Sequence, residues 1–170
     1  MNSNFPSALA FVLKEEGGYS NTPGDAGGPT DCGVTQTVYT AYRAAHGLPD
    51  QSVANIAASE VSDIYKSEYW DAVHGDQLPA GVDLAAFDSA VNNGPGTAAK
   101  LLQQAAGVAV DGSIGPATLA AVSAADPRAL ANRMLDLRNT YYRQICIAHP
   151  LDGEFLNGWL NRVAAVRALV

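Results

Sequence analysis

The stretch LKEEGGYSNTPGDAGGPTDCGVT, residues 13–35, decides which fold this chain is expected to adopt. Its first residue, Leu13, continues a series of apolar residues at 5, 9 and 12, and the spacing of these four predicts one face of an amphipathic helix. The pair Gly17-Gly18 is a typical helix stop. Glu15 and Glu16 therefore fall in the last turn, where the helix macrodipole disfavours negative charge. Because residues that break a local rule are often functional, this helix end is the first candidate site.

The remainder of the chain predicts a mainly helical protein. Residues 19–35 are dense in turn formers and predict an irregular loop or a small hairpin. An Asp-Gly pair within 107–116 predicts a short β-like turn. In the last predicted helix, Phe155, Trp159, Val163, Val166 and Leu169 or Val170 form a stripe that is typical of core packing. The predicted helices lie at roughly 36–46, 59–71, 81–93, 96–106, 116–124, 127–147 and 153–168.

Composition bounds the class of protein and its partners. The chain has 170 residues, of which 48% are hydrophobic and 16% charged, which is typical of one globular domain, with or without a small appendage. The net charge of −7 argues against nucleic acid, because phosphate contacts need clustered basic residues. No apolar stretch approaches the length of a membrane span, so no stable membrane insertion is expected. The N-terminal residues lack the features of a secretory signal.

The cysteines and histidines give no sign of a metal site. Cys32 and Cys146 are either two separate thiols or one disulfide, and the sequence leaves both possibilities open. No Cys or His cluster has the spacing of metal ligands. We therefore expect neither a metal nor an organic cofactor.

Two carboxylates suggest chemistry on a glycosidic bond. A carboxylic acid at a partly shielded helix end suits a general acid, and a second carboxylate can hold a water or stabilise a cation. Glu16 and Asp25 fit these roles if the loop folds back, with Thr30 or Thr35 helping Asp25 to position the water. Spacing alone is a weak signal for such a pair and favours two solvated surface charges.

Two further groups of side chains could line a sugar cleft. Asn92 and Asn93 precede Gly94 at the end of an apolar helix, which suits either helix capping or hydrogen bonds to a sugar. Tyr65, Tyr69 and Trp70 lie close together in the sequence. Such a cluster serves either as core or as a stacking surface for a pyranose ring.

The ordered match of the opening stretch resembles glycoside hydrolase family 108, a group of lysozyme-like N-acetylmuramidases. The matching residues are Glu16-Gly17-Gly18-Tyr19, Asn21, Pro23, Asp25, Gly27-Gly28, Thr30 and Gly33-Val34-Thr35. Residues 64–71 are similar to a second block of the family, and 87–122 resemble its peptidoglycan-binding segment. The resemblance covers about 8 to 165.

The resemblance implies a lysozyme-like helical fold with a small irregular or β-hairpin active-site loop. It implies a catalytic region over 1–76, with its motif at 16–35, and a helical peptidoglycan-binding segment over 77–170, packed into one compact body. By position in the motif, Glu16 rather than Glu15 is the implied catalytic acid. Asp25 and Thr30 complete the implied catalytic set, with Thr35 as the alternative threonine. The expected sugar contacts are Tyr19, Thr35, Tyr65, Trp70, Asn92 and Asn93.

These implications define the expected function. We expect a monomeric, endolysin-like enzyme that cuts the β-1,4 bond between N-acetylmuramic acid and N-acetylglucosamine in bacterial peptidoglycan. We expect it to be made in the cytoplasm and to reach the wall through a holin-type pore or another non-standard route. The alternatives are a non-catalytic peptidoglycan-binding module, and a lytic transglycosylase or chitinase-like enzyme.

Overall fold

The computed structural model describes residues 4–16, 19–20 and 28–170, and this part of the chain is mainly helical, as predicted. Its only sheet is an antiparallel pair, β1 (Thr30–Asp31) and β2 (Val34–Thr35). The helices within the described residues are α1 (Phe5–Glu16), α2 (Gln36–Ala45), α3 (Ala58–Tyr65), α4 (Val82–Asn93), α5 (Pro95–Ala106), α6 (Pro116–Ala124), α7 (Pro127–Ala148) and α8 (Leu156–Arg167).

Local signals set most of the helix ends. Pro95, Pro116 and Pro127 each occupy the first turn of a helix, where a missing N–H costs nothing. Gly94 and Gly107 adopt positive φ at helix C-termini. Because these signals act within a few residues, six of the eight predicted helices agree closely with the structure.

Two predicted helices differ in kind from the observed elements. The one predicted over 59–71 is α3 followed by a π-helical turn, Lys66–Trp70. Buried Tyr65 and Trp70 lie five residues apart, which is the spacing of a π turn rather than of an α-helix. The one predicted over 153–168 begins instead as a 3₁₀ helix, Pro150–Glu154, before α8.

The segment 107–116, for which a short β-like turn was predicted, contains no β-strand. Its shape comes from the buried Gln103 side chain. The Gln103 amide nitrogen donates to Asp111 Oδ1 (2.7 Å) and to the Ser113 carbonyl (3.0 Å), and its oxygen accepts from the Gly112 N–H (2.9 Å). A side chain from α5 therefore replaces the strand ladder that the Asp-Gly pair suggested.

The chain folds into two compact units. The hairpin unit is Leu9–Glu68, and its core contains Val12, Tyr39, Val53 and Ile64. The helical unit is Tyr69–Val170 together with the described part of Met1–Ala8. The boundary expected at 76 and 77, and the packing of the two regions into one body, stay predictions.

The helical unit packs its aromatic core around the start of α1. Phe5 lies 5.4 Å from Trp70 and 5.9 Å from Phe87, measured between ring centroids. Asn4 anchors the same segment by donating to Asp83 (2.8 Å). The predicted stripe on α8 is core only in part. Val163 and Val166 are buried, whereas Phe155 is 53% exposed and Leu169 is also exposed.

Neither cysteine forms a disulfide, so the two-thiol alternative holds for Cys32 and Cys146. No helix in the described part of the chain has the length and hydrophobicity needed to cross a membrane.

Candidate functional site

The motif stretch forms a hairpin in the hairpin unit. Thr30 pairs with Thr35 and Asp31 with Val34, which leaves Cys32 and Gly33 as a two-residue turn. Both turn residues have positive φ (48° and 75°), as a type I′ hairpin turn requires. The Thr30 backbone also exchanges two hydrogen bonds with Ser20 (2.8 and 2.9 Å), so Ser20 extends the ladder on its other side.

The turn of the hairpin lies directly against Glu16 and Tyr65. A Cβ atom placed on Gly33 would collide with the Tyr65 hydroxyl and would lie 3.3 Å from both Cγ and Oε2 of Glu16. The Tyr65 hydroxyl donates to the Cys32 carbonyl (2.9 Å), which fixes the turn. The candidate acid therefore rests on a surface that only glycine can provide.

Glu16 and Glu15 differ in environment although they are neighbours on α1. Glu16 is partly buried beside the hairpin, whereas Glu15 is exposed. The two carboxyl groups therefore differ in solvent exposure, and the catalytic role of Glu16 stays a prediction.

The two candidate threonines are cross-strand neighbours with different hydrogen bonds. The Thr35 hydroxyl oxygen accepts from the Val38 N–H (3.3 Å) and so caps α2. The Thr30 hydroxyl donates to the Gly28 carbonyl (3.3 Å), and no described residue donates to its oxygen. Thr35 thus has a structural task, whereas the oxygen of Thr30 retains its capacity to accept a hydrogen bond.

Several motif residues, including Asp25, lie outside the described residues. The others are Gly17, Gly18, Asn21, Pro23 and Gly27. The role of Asp25 stays a prediction.

The structure separates the predicted aromatic contacts into an exposed ring and buried ones. Tyr19, in the hairpin unit, is 51% exposed, and its role as a sugar contact stays a prediction. Tyr65 is buried and binds the hairpin turn. Trp70 is 0% exposed, and its indole N–H donates to Asp76 (3.0 Å). Of the two alternatives for this cluster, Tyr65 and Trp70 follow the core one, because neither has a ring face on which a sugar could stack.

Asn92 and Asn93 belong to the helical unit, where they line a pocket of about 370 Å³. Their side-chain nitrogens donate to the carbonyls of Asp88 (2.8 Å) and Ser89 (3.2 Å) on the preceding turn of α4. The other lining residues are Tyr141, Tyr142, Ile145, Asp152 and Trp159, and we call this cavity the Tyr142 pocket.

Sequence reasoning missed two contributors to the site, Gly33 and Cys32. Gly33 matched the motif without a stated role, and its glycine was the one signal for the positive φ of a tight turn, because Cys32 is not a typical turn residue. Burial, followed by the hydrogen bond to Asp31 and the charge of Asp31, raises the pKa of the Cys32 thiol. Since a raised pKa keeps the thiol protonated, Cys32 contributes its backbone carbonyl rather than a nucleophile.

Among the described residues, no cluster of three or more His, Cys, Asp or Glu side chains is arranged to hold a metal ion. The polar groups at the hairpin are carboxylate, hydroxyl and backbone groups, which suit proton transfer and hydrogen bonding to a sugar.

Comparisons with known proteins place these features in context. The model of the family described as Glycosyl hydrolase 108 matches residues 9–94, and that of the Predicted Peptidoglycan domain matches residues 97–164. A solved structure described as that of Brucella abortus SagA is 37% identical to this chain, with a TM-score of 0.79. The match covers 97% of this chain and 92% of that one. A search of curated proteins returned no match.

Proposed function

We propose that Glu16 is the general acid of this chain, which belongs to the glycosyl hydrolase 108 family and is a muramidase that hydrolyses peptidoglycan. The observation that carries the proposal is the placement of Glu16, partly buried at the end of α1 with Cγ and Oε2 each 3.3 Å from the position that a Cβ on Gly33 would take. A general acid needs a fixed position, and the neighbouring hairpin turn restricts the space open to the Glu16 side chain, which supports the proposal.

The proposed reaction cleaves the β-1,4 bond between N-acetylmuramic acid and N-acetylglucosamine. The Glu16 carboxyl proton is transferred to the bridging oxygen as the bond to the anomeric carbon breaks. Positive charge then develops on the sugar ring, and a water attacks the anomeric carbon. In this proposal Asp25 either orients that water and takes its proton, or it stabilises the developing charge while the deprotonated Glu16 takes the proton from the water.

Thr30 is the threonine we assign to Asp25. Its hydroxyl oxygen receives no hydrogen bond from the described residues, whereas the Thr35 oxygen already caps α2. The Thr30 oxygen can accept one proton of a water whose other proton is directed to the Asp25 carboxylate, so both residues would hold the same water. The spacing of the Glu16 and Asp25 carboxyl groups then predicts the stereochemical outcome, with roughly 6.5–9.5 Å for inversion and roughly 5–5.5 Å for retention.

Tyr65 and Gly33 act as positioning residues in this proposal. The hydrogen bond from Tyr65 holds the turn, and the turn restricts the space available to the Glu16 side chain. Tyr19 is the aromatic residue we assign to the sugar, because half of its surface is exposed.

The deciding experiment is digestion of purified sacculi by the wild type, Glu16→Gln and Glu15→Gln, with mass spectrometry of the released fragments. We expect reducing muramic ends from the wild type and a loss of about 10²-fold or more in Glu16→Gln. Glu15→Gln is the matched control, since it makes the same change one residue away on an exposed face, and it should keep near wild-type activity.

Other outcomes would identify the alternatives. Release of fragments with anhydro-muramic ends would show that the enzyme is a lytic transglycosylase rather than a hydrolase, with Glu16 still acting as the acid. Binding of the wild type to sacculi without release of fragments would show that the protein is a non-catalytic peptidoglycan-binding module. Equal losses in Glu16→Gln and Glu15→Gln would remove the acid role from Glu16.

We extend the proposal to an endolysin-like, bacteriolytic activity. The support is the combination in one chain of a hydrolase family match with a peptidoglycan domain match. The test is the fall in turbidity of cells with permeabilised outer layers, with Glu16→Gln as the inactive control. Solubilisation of sacculi without lysis of such cells would contradict this extension.

A further inference from the structure

We propose that the Tyr142 pocket of the helical unit binds an N-acetylated amino sugar of the glycan strand through its acetamido group. The inference rests on the proposed function, because it takes the glycan of peptidoglycan as the ligand. The peptidoglycan domain match at 97–164 covers most of the pocket but does not assign any residue of it a role.

Tyr142 lines the pocket and carries a hydroxyl whose proton has no acceptor among the described residues, and we take this hydroxyl as the floor of the pocket. The Tyr142 hydroxyl accepts from Arg138 Nε (2.9 Å) and from Asn93 Nδ2 (3.2 Å). Two acceptor sites are all that a hydroxyl oxygen has, so its own proton must be donated elsewhere. No described residue accepts that proton. A ligand carbonyl oxygen at the floor would do so.

A network of buried charged residues fixes the position of the Tyr142 hydroxyl. Arg138 is 0% exposed and binds the equally buried Asp88 at 2.6 Å. The other Asp88 oxygen accepts from Arg162 Nε at 2.8 Å. Because this network orders the hydroxyl before any ligand arrives, binding has little ordering cost at this group.

The wall of the pocket provides ring surfaces. The Trp159 ring stacks on Tyr142 with centroids 4.9 Å apart and 26° between planes, and Trp159 stays partly exposed. Tyr141, also partly exposed, lies 5.9 Å from Tyr142. Aromatic faces with a few polar groups are typical of small-ligand pockets, and they suit the C–H face of a pyranose.

The rim supplies acceptors. Asn92 and Asn93 use their side-chain nitrogens within the protein, which leaves their amide oxygens free of donors among the described residues. Asp152 adds a carboxylate. An acetamido group carries one carbonyl acceptor and one N–H donor, and it therefore matches the hydroxyl at the floor and the oxygens at the rim.

The charge of the lining residues argues against binding of the carboxylate groups in the peptide part of peptidoglycan. None of the described lining residues is basic, and the fully buried Arg138 is not among them. A ligand carboxylate would meet Asp152 without a cationic partner, which is unfavourable. An uncharged N-acetylglucosamine unit avoids that repulsion.

The test measures binding of N-acetylchitotriose to the Glu16→Gln protein, which should bind without cutting, by calorimetry. We expect Tyr142→Phe and Tyr141→Ala each to raise Kd about ten-fold, the loss of one good contact. Asp152→Asn should weaken binding, whereas Glu154→Gln should not, because Glu154 makes the same charge change in the same 3₁₀ helix but does not line the pocket. Maltotriose, which lacks acetamido groups, should not compete.

Tyr141→Ala guards against a folding artefact, because it changes a rim residue and leaves the buried network intact. Wild-type affinity in both tyrosine variants, or no binding of chitotriose at millimolar concentration, would overturn the inference. Displacement by maltotriose would also overturn it. Sacculus digestion distinguishes the two proposals. Pocket-dependent binding of chitotriose without digestion of sacculi would contradict only the proposed hydrolase mechanism. Digestion of sacculi without such binding would contradict only the proposed sugar binding in the Tyr142 pocket.

Discussion

Gly33 shows how one missing side chain positions a candidate catalytic acid. Its φ of 75° is unfavourable for residues with a Cβ atom, and the space for that atom is already filled by the Tyr65 hydroxyl. The same glycine lets Glu16 approach the hairpin within 3.3 Å of the position a Cβ would take. Backbone freedom and close approach are therefore required at the same position.

Gly33→Ala should lower both stability and activity. The backbone conformation alone costs about 1–2 kcal/mol, and displacement of Tyr65 and Glu16 should reduce sacculus digestion by about 10²-fold. Gly47→Ala is the control, since Gly47 also has positive φ (66°) but has open space around its Cβ position. If both variants lost stability equally and retained activity, the hairpin contact would not position Glu16.

Substitution of Thr35 should lower mainly stability, whereas substitution of Thr30 should lower mainly activity. Thr35→Val removes the cap of α2 and should cost about 1 kcal/mol of stability, measured by thermal unfolding. Thr30→Val should leave the melting temperature nearly unchanged and lower digestion of sacculi roughly ten-fold, because the attacking water loses one hydrogen bond. The opposite pattern would transfer the catalytic assignment to Thr35.

At the scale of elements, a polar cluster joins α2 to α3 in the hairpin unit. Glu60 accepts from the Tyr39 hydroxyl (2.6 Å) and from Arg43 Nη1 (2.6 Å), and it also accepts from the Ala57 N–H (2.9 Å) that begins α3. The Tyr39 hydrogen bond, followed by the Ala57 N–H, lowers the pKa of Glu60 from its ordinary value of 4.5. The cluster thus stabilises the ionised carboxylate.

This lowered pKa predicts an acid-dependent contribution to stability. A carboxyl group whose pKa is lower in the folded state stabilises the fold above its unfolded pKa and loses that contribution as pH falls through the folded value. Glu60→Gln should therefore be less stable than the wild type at pH 7, and the difference should shrink as pH falls below 4.5. Denaturant unfolding at several pH values measures it.

Tyr39→Phe provides the companion variant, because it removes the largest cause of the lowered pKa and keeps the ring. Its stability difference from the wild type should shrink over the same acidic range. A difference between Glu60→Gln and the wild type that stayed constant from neutral to acidic pH would contradict the assignment.

At the scale of the whole molecule, residues distant in sequence meet in the helical unit. Asp88, Arg138 and Arg162 come from α4, α7 and α8 and form one buried ion network beneath the Tyr142 pocket. Two arginines share one carboxylate, so the network depends on Asp88. Its loss would leave buried positive charge without a partner.

Asp88→Asn should therefore be strongly destabilising. Removal of one partner from a buried ion pair costs about 3–5 kcal/mol, whereas an exposed pair contributes at most about 1 kcal/mol. Asp136→Asn is the control, because the Asp136–Arg167 pair has a similar distance (2.6 Å) but is exposed. Thermal unfolding of both variants measures the contrast. Equal effects would mean that burial does not govern the contribution of Asp88.

The sequence by itself predicted most of the helices and the candidate acid. Helix ends followed from prolines, glycines and caps, whose effects reach only a few residues. The motif from Glu16 to Thr35 predicted the family and a hairpin, because the hydrogen bonding of a turn is also local.

Only the tertiary structure decided which aromatic residues are core and which face a ligand. Trp70 was predicted as a sugar contact and is buried against Phe5 and Phe87, whereas Trp159 was predicted as core and lines a pocket. Both tryptophans lie on apolar patterns, and such a pattern does not specify what covers it. Burial depends on partners many residues away, as does the pairing of Asp88 with Arg138. Long-range packing therefore decided the arrangement of the sites, whereas local chemistry had already decided the elements that carry them.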